Sequence, residues 1–252
     1  SPKATKNNII IKNLHESCTD LVQFKNKFRN VPWANGMQMK ETGLNFEANN
    51  FKWDAVRFAN KVFAVIHACE NINADWVIWL DADVKTFALV TKEFLATVCP
   101  GSHFVSYLGR RVKYHSECGW VGYNKKHAKL QDFINTWTNL YTQDTIFKEV
   151  EWHDSYLYWQ VLQRVAPNDG HDIGVGSGHD GQHIFINSDL GKYVDHMKGK
   201  RKIKGRSAKS DLRKQRSESY WQNIHKDEFI SKLDQKTQQE IISKVAKGTQ
   251  GN

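Results

Sequence analysis

A buried strand that ends in two carboxylates constrains this chain more than any other feature. Residues 76–80 read Trp-Val-Ile-Trp-Leu, and Asp81 and Asp83 follow with only Ala82 between them. Because side chains alternate along a strand, the two aspartates point the same way. Paired carboxylates at the carboxyl end of a buried strand favour Mn²⁺ or Mg²⁺ carrying a diphosphate. Two solvated turn aspartates are the alternative, since about one Asp-x-Asp is expected by chance in such a length.

A second segment carries residues that suit the same ion. Residues 193–207 contain His196, Gly199 and Lys202, and an apolar run at 183–187 predicts a short strand before them. An imidazole nitrogen can bind a divalent cation, glycine lets the backbone approach a phosphate, and lysine neutralises diphosphate charge. A surface histidine beside a basic run is the alternative interpretation of this segment when it is taken alone.

The two motifs together resemble those of GT-A fold glycosyltransferases. The pattern Asp81-Ala-Asp83 after an apolar strand, followed by His196-x-x-Gly199-x-x-Lys202, is most similar to glycosyltransferase family 8, the group of glycogenin and bacterial galactosyltransferase-like enzymes. The resemblance implies that both aspartates and the histidine bind Mn²⁺. It further implies that the glycine and lysine contact the donor diphosphate, and Asp81 is also counted among the donor-binding residues.

The resemblance covers roughly residues 50–205 and carries expectations about the reaction. It implies a UDP-sugar as donor and retention of the anomeric configuration, with an unidentified acceptor. Metal-assisted transfer of a hexose is therefore the predicted activity.

Two further positions match the family in part. Asp154 stands where the family has an Asp-Gln pair at the start of a helix near the reacting sugar, but Ser155 replaces the glutamine here. We expect Asp154 to be catalytic, and capping of the helix by Asp154 or Ser155 is the alternative. Gly119 corresponds to the glycine of the family's Asn-Ala-Gly segment beside the donor sugar, whereas Glu117 and Cys118 depart from it. A bulge glycine in a strand is the alternative for Gly119.

A pair of basic residues precedes the metal motif. Arg57 and Lys61 are four residues apart, so they share one face of a helix. The family holds its donor with a basic residue in this region, and both residues are candidates for that role. Their distance from Asp81 along the chain is longer than in the family, which favours a solvated helix face as the alternative.

Strands that alternate with helices predict an α/β fold: a GT-A type, Rossmann-like mixed but mostly parallel sheet flanked by helices. A glycine-rich stretch at 168–181 is predicted to be a loop. We expect one nucleotide-sugar transferase domain over 1–205, then a basic segment and an amphipathic helix, 227–245, packed on it within 206–252. The remaining predicted elements are strands at 8–14, 103–108 and 119–123 and helices at 20–29, 50–71, 91–98, 130–141 and from 154.

The chain is basic, with a net charge of +9 and a pI near 9.3. Much of the excess positive charge lies in residues 198–216, and it is more charge than the binding of one nucleotide sugar needs. We expect an anionic partner for this segment: an acidic glycan, a phospholipid surface or nucleic acid. A solvated charge run is the alternative.

Four cysteines without a Cys-x-x-Cys pair predict free thiols in a reducing compartment. No apolar run reaches membrane-spanning length, and no leader or Asn-x-Ser/Thr acceptor is visible, so a cytoplasmic location is expected.

Two other classes of function remain open. A metal-dependent nucleotidyltransferase or phosphoesterase would also use paired aspartates, but it needs more carboxylates nearby, and Glu93, Glu117 and Asp132 show no helpful spacing. A non-catalytic protein that binds nucleic acid through its basic segment would leave Asp81 and His196 unexplained.

Overall fold

The computed structural model describes residues 9–39, 46–47, 50–110, 115–175, 177, 183–199 and 201–223. Within these residues the helices are α1 (Leu14–Ser17), α2 (Thr19–Phe28), α3 (Ala55–Asn71), α4 (Lys92–Val98), α5 (Leu130–Thr142), α6 (Asp154–Val165), α7 (Ile184–Asn187), α8 (Arg201–Lys204) and α9 (Ser219–Gln222). The strands are β1 (Gln38–Met39), β2 (Phe46–Glu47), β3 (Trp76–Leu80), β4 (Val84–Thr86), β5 (Val105–Leu108), β6 (Glu117–Asn124), β7 (Gly170–Asp172) and β8 (Val194–His196).

The fold is mixed α/β, with a four-stranded sheet in the order β3-β6-β5-β7. Strand β6 runs antiparallel to both β3 and β5, and β5 runs parallel to β7. The prediction of a mostly parallel sheet is therefore wrong. The connection from Leu108 to Glu117 is too short for the crossover that parallel neighbours require, so β5 and β6 form an antiparallel pair. Strand β7 lies within the stretch predicted as a loop.

The sheet lies between two hydrophobic clusters because side chains alternate along its strands. On β3, Val77 and Trp79 face a cluster built from α2, α3, α5 and α6. Trp76 and Ile78 face the opposite cluster, which contains α4 and α7. The predicted strand at 76–80 and the predicted helices at 20–29, 50–71, 91–98 and 130–141 are confirmed to within a few residues.

Two predicted strands are wrong. Residues 9–13 have no regular structure, and the side chain of Asn13 accepts a hydrogen bond from the backbone nitrogen of His15, which begins α1. Residues 184–187 form helix α7 instead of a strand, with His183 in the left-handed region at φ 45°. A short apolar run such as Ile-Phe-Ile cannot by itself distinguish a strand from a helical turn.

The basic segment packs on the domain over its first part. The guanidinium of Arg216 donates to the carbonyl of Ile186, and Trp221 Nε1 donates to the carbonyl of Gly191 at 2.6 Å. Trp221 is only 4 % exposed. The predicted helix at 227–245 lies outside the described residues. Among the residues that the structure describes, no helix has both the length and the apolar character needed to cross a membrane.

Candidate functional site

Asp81, Asp83 and His196, here called the strand-end cluster, are brought together by two ladders. The backbone nitrogen of Asp81 donates to the carbonyl of Gly119, which extends the β3–β6 ladder by one residue. Strand β4 pairs with β8 so that Val84 lies opposite His196, and the backbone nitrogen of Met197 donates to the carbonyl of Asp83 at 2.8 Å. Residues more than a hundred positions apart therefore meet at the end of β3.

The ligating atoms of this cluster converge. His196 Nε2 lies 3.2 Å from Asp83 Oδ1 and 3.7 Å from Asp81 Oδ2. One atom from each side chain falls within 4.8 Å of the other two. The two carboxylate oxygens suit either Mn²⁺ or Mg²⁺. The imidazole nitrogen favours Mn²⁺ over Mg²⁺. The three residues that the sequence predicted as metal ligands are thus adjacent.

The other oxygen of each carboxylate is held by a lysine. Asp81 Oδ1 accepts from Lys61 Nζ at 2.8 Å and from Trp79 Nε1 at 2.6 Å, and Asp83 Oδ2 lies 3.0 Å from Lys202 Nζ. Burial raises the pKa of Asp83, but the hydrogen bond from Lys202 and the nearby His196 outweigh it, so the pKa is lowered overall. Asp83 is consequently ionised at neutral pH, with its second oxygen directed at the centre of the cluster.

The His196 ring is buried against a glycine. His196 is 2 % exposed, and this burial lowers its pKa, which favours the neutral imidazole that a metal ligand requires. A Cβ placed on Gly119 would come 2.7 Å from His196 Cε1. Gly119 therefore belongs to the site by making room for the histidine ring, a contact that the sequence did not predict.

Lys61 connects the strand-end cluster to Asp154. Its ammonium lies 2.6 Å from Asp154 Oδ2 and donates to the carbonyl of Cys118 at 2.7 Å, in addition to its bond with Asp81. Burial alone would lower the pKa of Lys61, but the charge of Asp154 and then that of Asp81 raise it above its ordinary value. Lys61 thus points into the site, and the alternative of a solvated helix face is wrong for this residue.

Asp154 does not cap its helix. The cap of α6 is His153, whose Nδ1 accepts from the backbone nitrogen of Tyr156 at 3.4 Å, so neither Asp154 nor Ser155 plays that part. Burial raises the pKa of Asp154, but the charge of Lys61 lowers it far below the usual range. The ionised carboxylate of Asp154 is therefore held near Asp81 by a salt-bridge partner, Lys61, that the two aspartates share.

Two predicted donor-binding residues lie at the edge of this arrangement. Arg57 is exposed one turn before Lys61, with its guanidinium carbon 5.5 Å from the Phe58 ring. None of its described contacts reaches the strand-end cluster. Gly199 follows β8 in the left-handed region at φ 62°, where a side chain would strain the backbone. This turn leads the chain from His196 to Lys202.

A cationic cavity of about 340 Å³ opens beside His196. Two of its basic residues, Arg110 and Lys198, pair with Glu117, and Arg201 pairs with Asp211 at 2.7 Å. Four cationic side chains and two carboxylates leave the wall positive. Its lining residues are Arg110, Glu117, His183, Ile184, Phe185, His196, Lys198, Arg201, Ser210, Asp211 and Arg213.

A second group of ligating side chains, here called the loop cluster, consists of His115, Glu151 and His153. Glu151 and His153 precede α6, and His115 precedes β6. The sequence analysis missed this cluster. The Glu-Trp-His spacing before α6 was a usable signal for two of its members, but nothing in the sequence places His115 beside them.

The described arrangement can hold a divalent cation between two half-buried carboxylates and a buried imidazole that also lines the neighbouring cavity. All four cysteines are free thiols, as predicted.

The chain was compared with known proteins, and no protein-family model, no curated protein and no solved structure matches it.

Proposed function

We propose that this protein is a metal-dependent glycosyltransferase that moves a sugar from a nucleoside diphosphate donor, most simply a UDP-sugar. The observation that carries the proposal is the convergence of Asp81 Oδ2, Asp83 Oδ1 and His196 Nε2 beside a cationic cavity that His196 also lines. The donor atoms suit Mn²⁺, and the cavity suits the charge and size of a diphosphate with an attached group.

The side chains around the cluster have distinct parts in this proposal. A bound Mn²⁺ would supply positive charge to the departing diphosphate. Lys202, whose Nζ lies 3.0 Å from Asp83 Oδ2, would add a flexible positive charge to the same leaving group. These charges favour the reaction because the negative charge on the diphosphate grows as the sugar leaves.

Asp154 is the proposed catalytic residue. Its carboxylate is ionised and fixed by Lys61, so it would stabilise positive charge that develops on the sugar carbon. Lys61 is a positioning residue in this scheme, because it orients both Asp81 and Asp154.

The observed contacts support the alternatives less well. Among the carboxylates that a nucleotidyltransferase or phosphoesterase would need, Glu93 and Asp132 lie exposed on helices α4 and α5, and Glu117 is engaged by Arg110 and Lys198. A nucleic-acid-binding surface needs outward-facing cations; Lys204, Lys209 and Lys214 are exposed, whereas Arg216 is buried and bonded to backbone carbonyls. Binding of DNA or RNA through residues 198–216 would leave the strand-end cluster without a role.

The test is calorimetry with a panel of nucleotide sugars, with and without Mn²⁺, on the wild type and on Asp83→Asn. We expect one donor to bind only when metal is present, and Asp83→Asn to weaken that binding by at least about 100-fold, since even outer-shell residues cost 10–100-fold. Lys202→Ala should cost less, roughly 10-fold.

The matched control is Asp75→Asn, at the other end of β3, where the aspartate is exposed and paired with Lys126 at 2.8 Å. That variant should bind the donor as the wild type does. Unchanged donor binding in Asp83→Asn, or equal binding with and without metal, would refute the proposal.

A further inference from the structure

The loop cluster places three ligands of the kinds that transition metals prefer around one point. Glu151 Oε2 lies 2.8 Å from His153 Nε2 and 4.0 Å from His115 Nε2. In a tetrahedral site with metal–ligand bonds of about 2.0–2.1 Å, ligand atoms stand about 3.3 Å apart. The two observed distances lie on either side of that value, and all three ligand atoms lie within 4.8 Å of one another, so modest side-chain movements would bring them to it.

The contacts of Glu151 in the loop cluster also suit a cation. Lys52 Nζ occupies Glu151 Oε1 at 2.6 Å and leaves Oε2 directed at the histidines. Asp81 and Asp83 divide their oxygens between a lysine and the centre in the same way.

We propose that His115, Glu151 and His153 form a second metal site, separate from the strand-end cluster, that takes Zn²⁺ or a similar transition-metal ion. Two imidazoles and one carboxylate form the set that zinc binds when a fourth position is left for water or another ligand. The inference does not depend on the proposed glycosyl transfer, because it rests on other residues.

The hydrogen bonds of His153 show what metal binding would change. Its Nδ1 now accepts from the Tyr156 backbone nitrogen, so the ring proton is on Nε2 and is donated to Glu151. A metal on Nε2 requires the proton on Nδ1, which lies 3.9 Å from Asp154 Oδ1. The proton would then move from Nε2 to Nδ1 with no net loss, the bond from the Tyr156 backbone nitrogen to Nδ1 would break, and a carboxylate–histidine–metal arrangement could form. Metal at the loop cluster would thus be coupled to Asp154.

The test measures zinc bound per chain by equilibrium dialysis with Zn²⁺ alone. We expect His115→Ala and Glu151→Gln each to lower the bound zinc by about one equivalent, or to weaken that equivalent by at least about 100-fold. The same equivalent should persist in the double variant Asp83→Ala, His196→Ala, which lacks the strand-end cluster. His67→Ala, which changes a partly buried histidine on α3, is the control and should retain all bound zinc.

Circular dichroism verifies that each variant is folded, and Glu151→Gln preserves the side-chain shape if His115→Ala does not fold. Equal zinc binding in wild type, His115→Ala and Glu151→Gln would overturn the proposal. Loss of all zinc in the Asp83→Ala, His196→Ala variant would overturn it as well. Failure of the glycosyltransferase proposal gives a different result: no donor binds, while the His115-dependent zinc remains.

Discussion

The strand-end cluster and the loop cluster present similar ligand atoms on different supports. In the first, hydrogen-bonded ladders fix Asp81 to β6 and Asp83 to β8, and Lys61 behind them has a side chain only 17 % exposed. In the second, the residues precede β6 and α6, and the lysine behind Glu151, Lys52, is 43 % exposed. The two clusters thus have similar ligand atoms, but the burial of their lysines predicts that disturbing the strand-end cluster costs far more stability than disturbing the loop cluster.

The largest difference in stability between the two clusters should follow replacement of the lysine behind each one, Lys61 or Lys52. Lys61→Met leaves Asp81 and Asp154 without their buried partner, so we expect the free energy of unfolding to fall by about 3–5 kcal/mol. Urea unfolding followed by circular dichroism measures the change.

Lys52→Met is the matched variant at the loop cluster. Because this pair is more exposed, we expect a loss within about 1 kcal/mol. Equal losses in the two variants would mean that the clusters do not differ in the way that the burial of their lysines indicates.

A smaller loss of stability is expected from a substitution at Gly119, where β6 contacts the strand-end cluster. Gly119→Ala places a methyl group against the His196 ring, and we expect the free energy of unfolding to fall by about 1–3 kcal/mol. Mn²⁺ affinity, measured by calorimetry, should fall with it because the ring is displaced.

Gly101→Ala is the control, since nothing lies within 4 Å of a Cβ at that position. Its stability should stay within about 0.5 kcal/mol of the wild type. Normal metal affinity in Gly119→Ala would show that the ring position is less restricted than the contact indicates.

The last effect concerns acid and is absent at neutral pH. Burial, then the charge of Arg201, lowers the pKa of His183 in the cavity wall from 6.5 to about 3. The unfolded state therefore binds more protons between these pH values, and the contribution of His183 to stability, complete above about pH 6.5, is lost as the pH falls towards 3.

We expect His183→Asn to reduce the slope of unfolding free energy against pH in that window, by at most about 1.4 kcal/mol per pH unit. Asparagine is chosen because it tolerates the left-handed backbone at this position. Parallel pH profiles for the wild type and the variant would show that His183 titrates normally in the folded protein.

The sequence predicted the two aspartates of the strand-end cluster because their signals are local. A run of apolar residues predicts β3, and two carboxylates after it can be recognised without knowledge of the fold. The prediction that His196 joins them came from motif resemblance. The ladder that brings it there, β4 with β8, has three residues in each strand and gave no recognisable pattern.

Other features could not be predicted because they depend on tertiary neighbours. All eight residues of β6 are buried, as in a central parallel strand, yet both of its partners run antiparallel. On α3, Arg57 and Lys61 share a face, but only the fold decides that Lys61 reaches Asp81 while Arg57 stays exposed. His115 meets Glu151 through contacts between distant segments of the chain.

We expect the β4–β8 ladder to form late during folding. Strand β4 ends at Thr86, and its partner begins at Val194, so the ladder closes a loop of more than a hundred residues. Contacts of such long range form late, because the chain loses much entropy before they can stabilise it. A nascent chain that has exposed Asp81 and Asp83 but not yet β8 lacks the third proposed ligand, His196. Tight metal binding would therefore mark the completed domain.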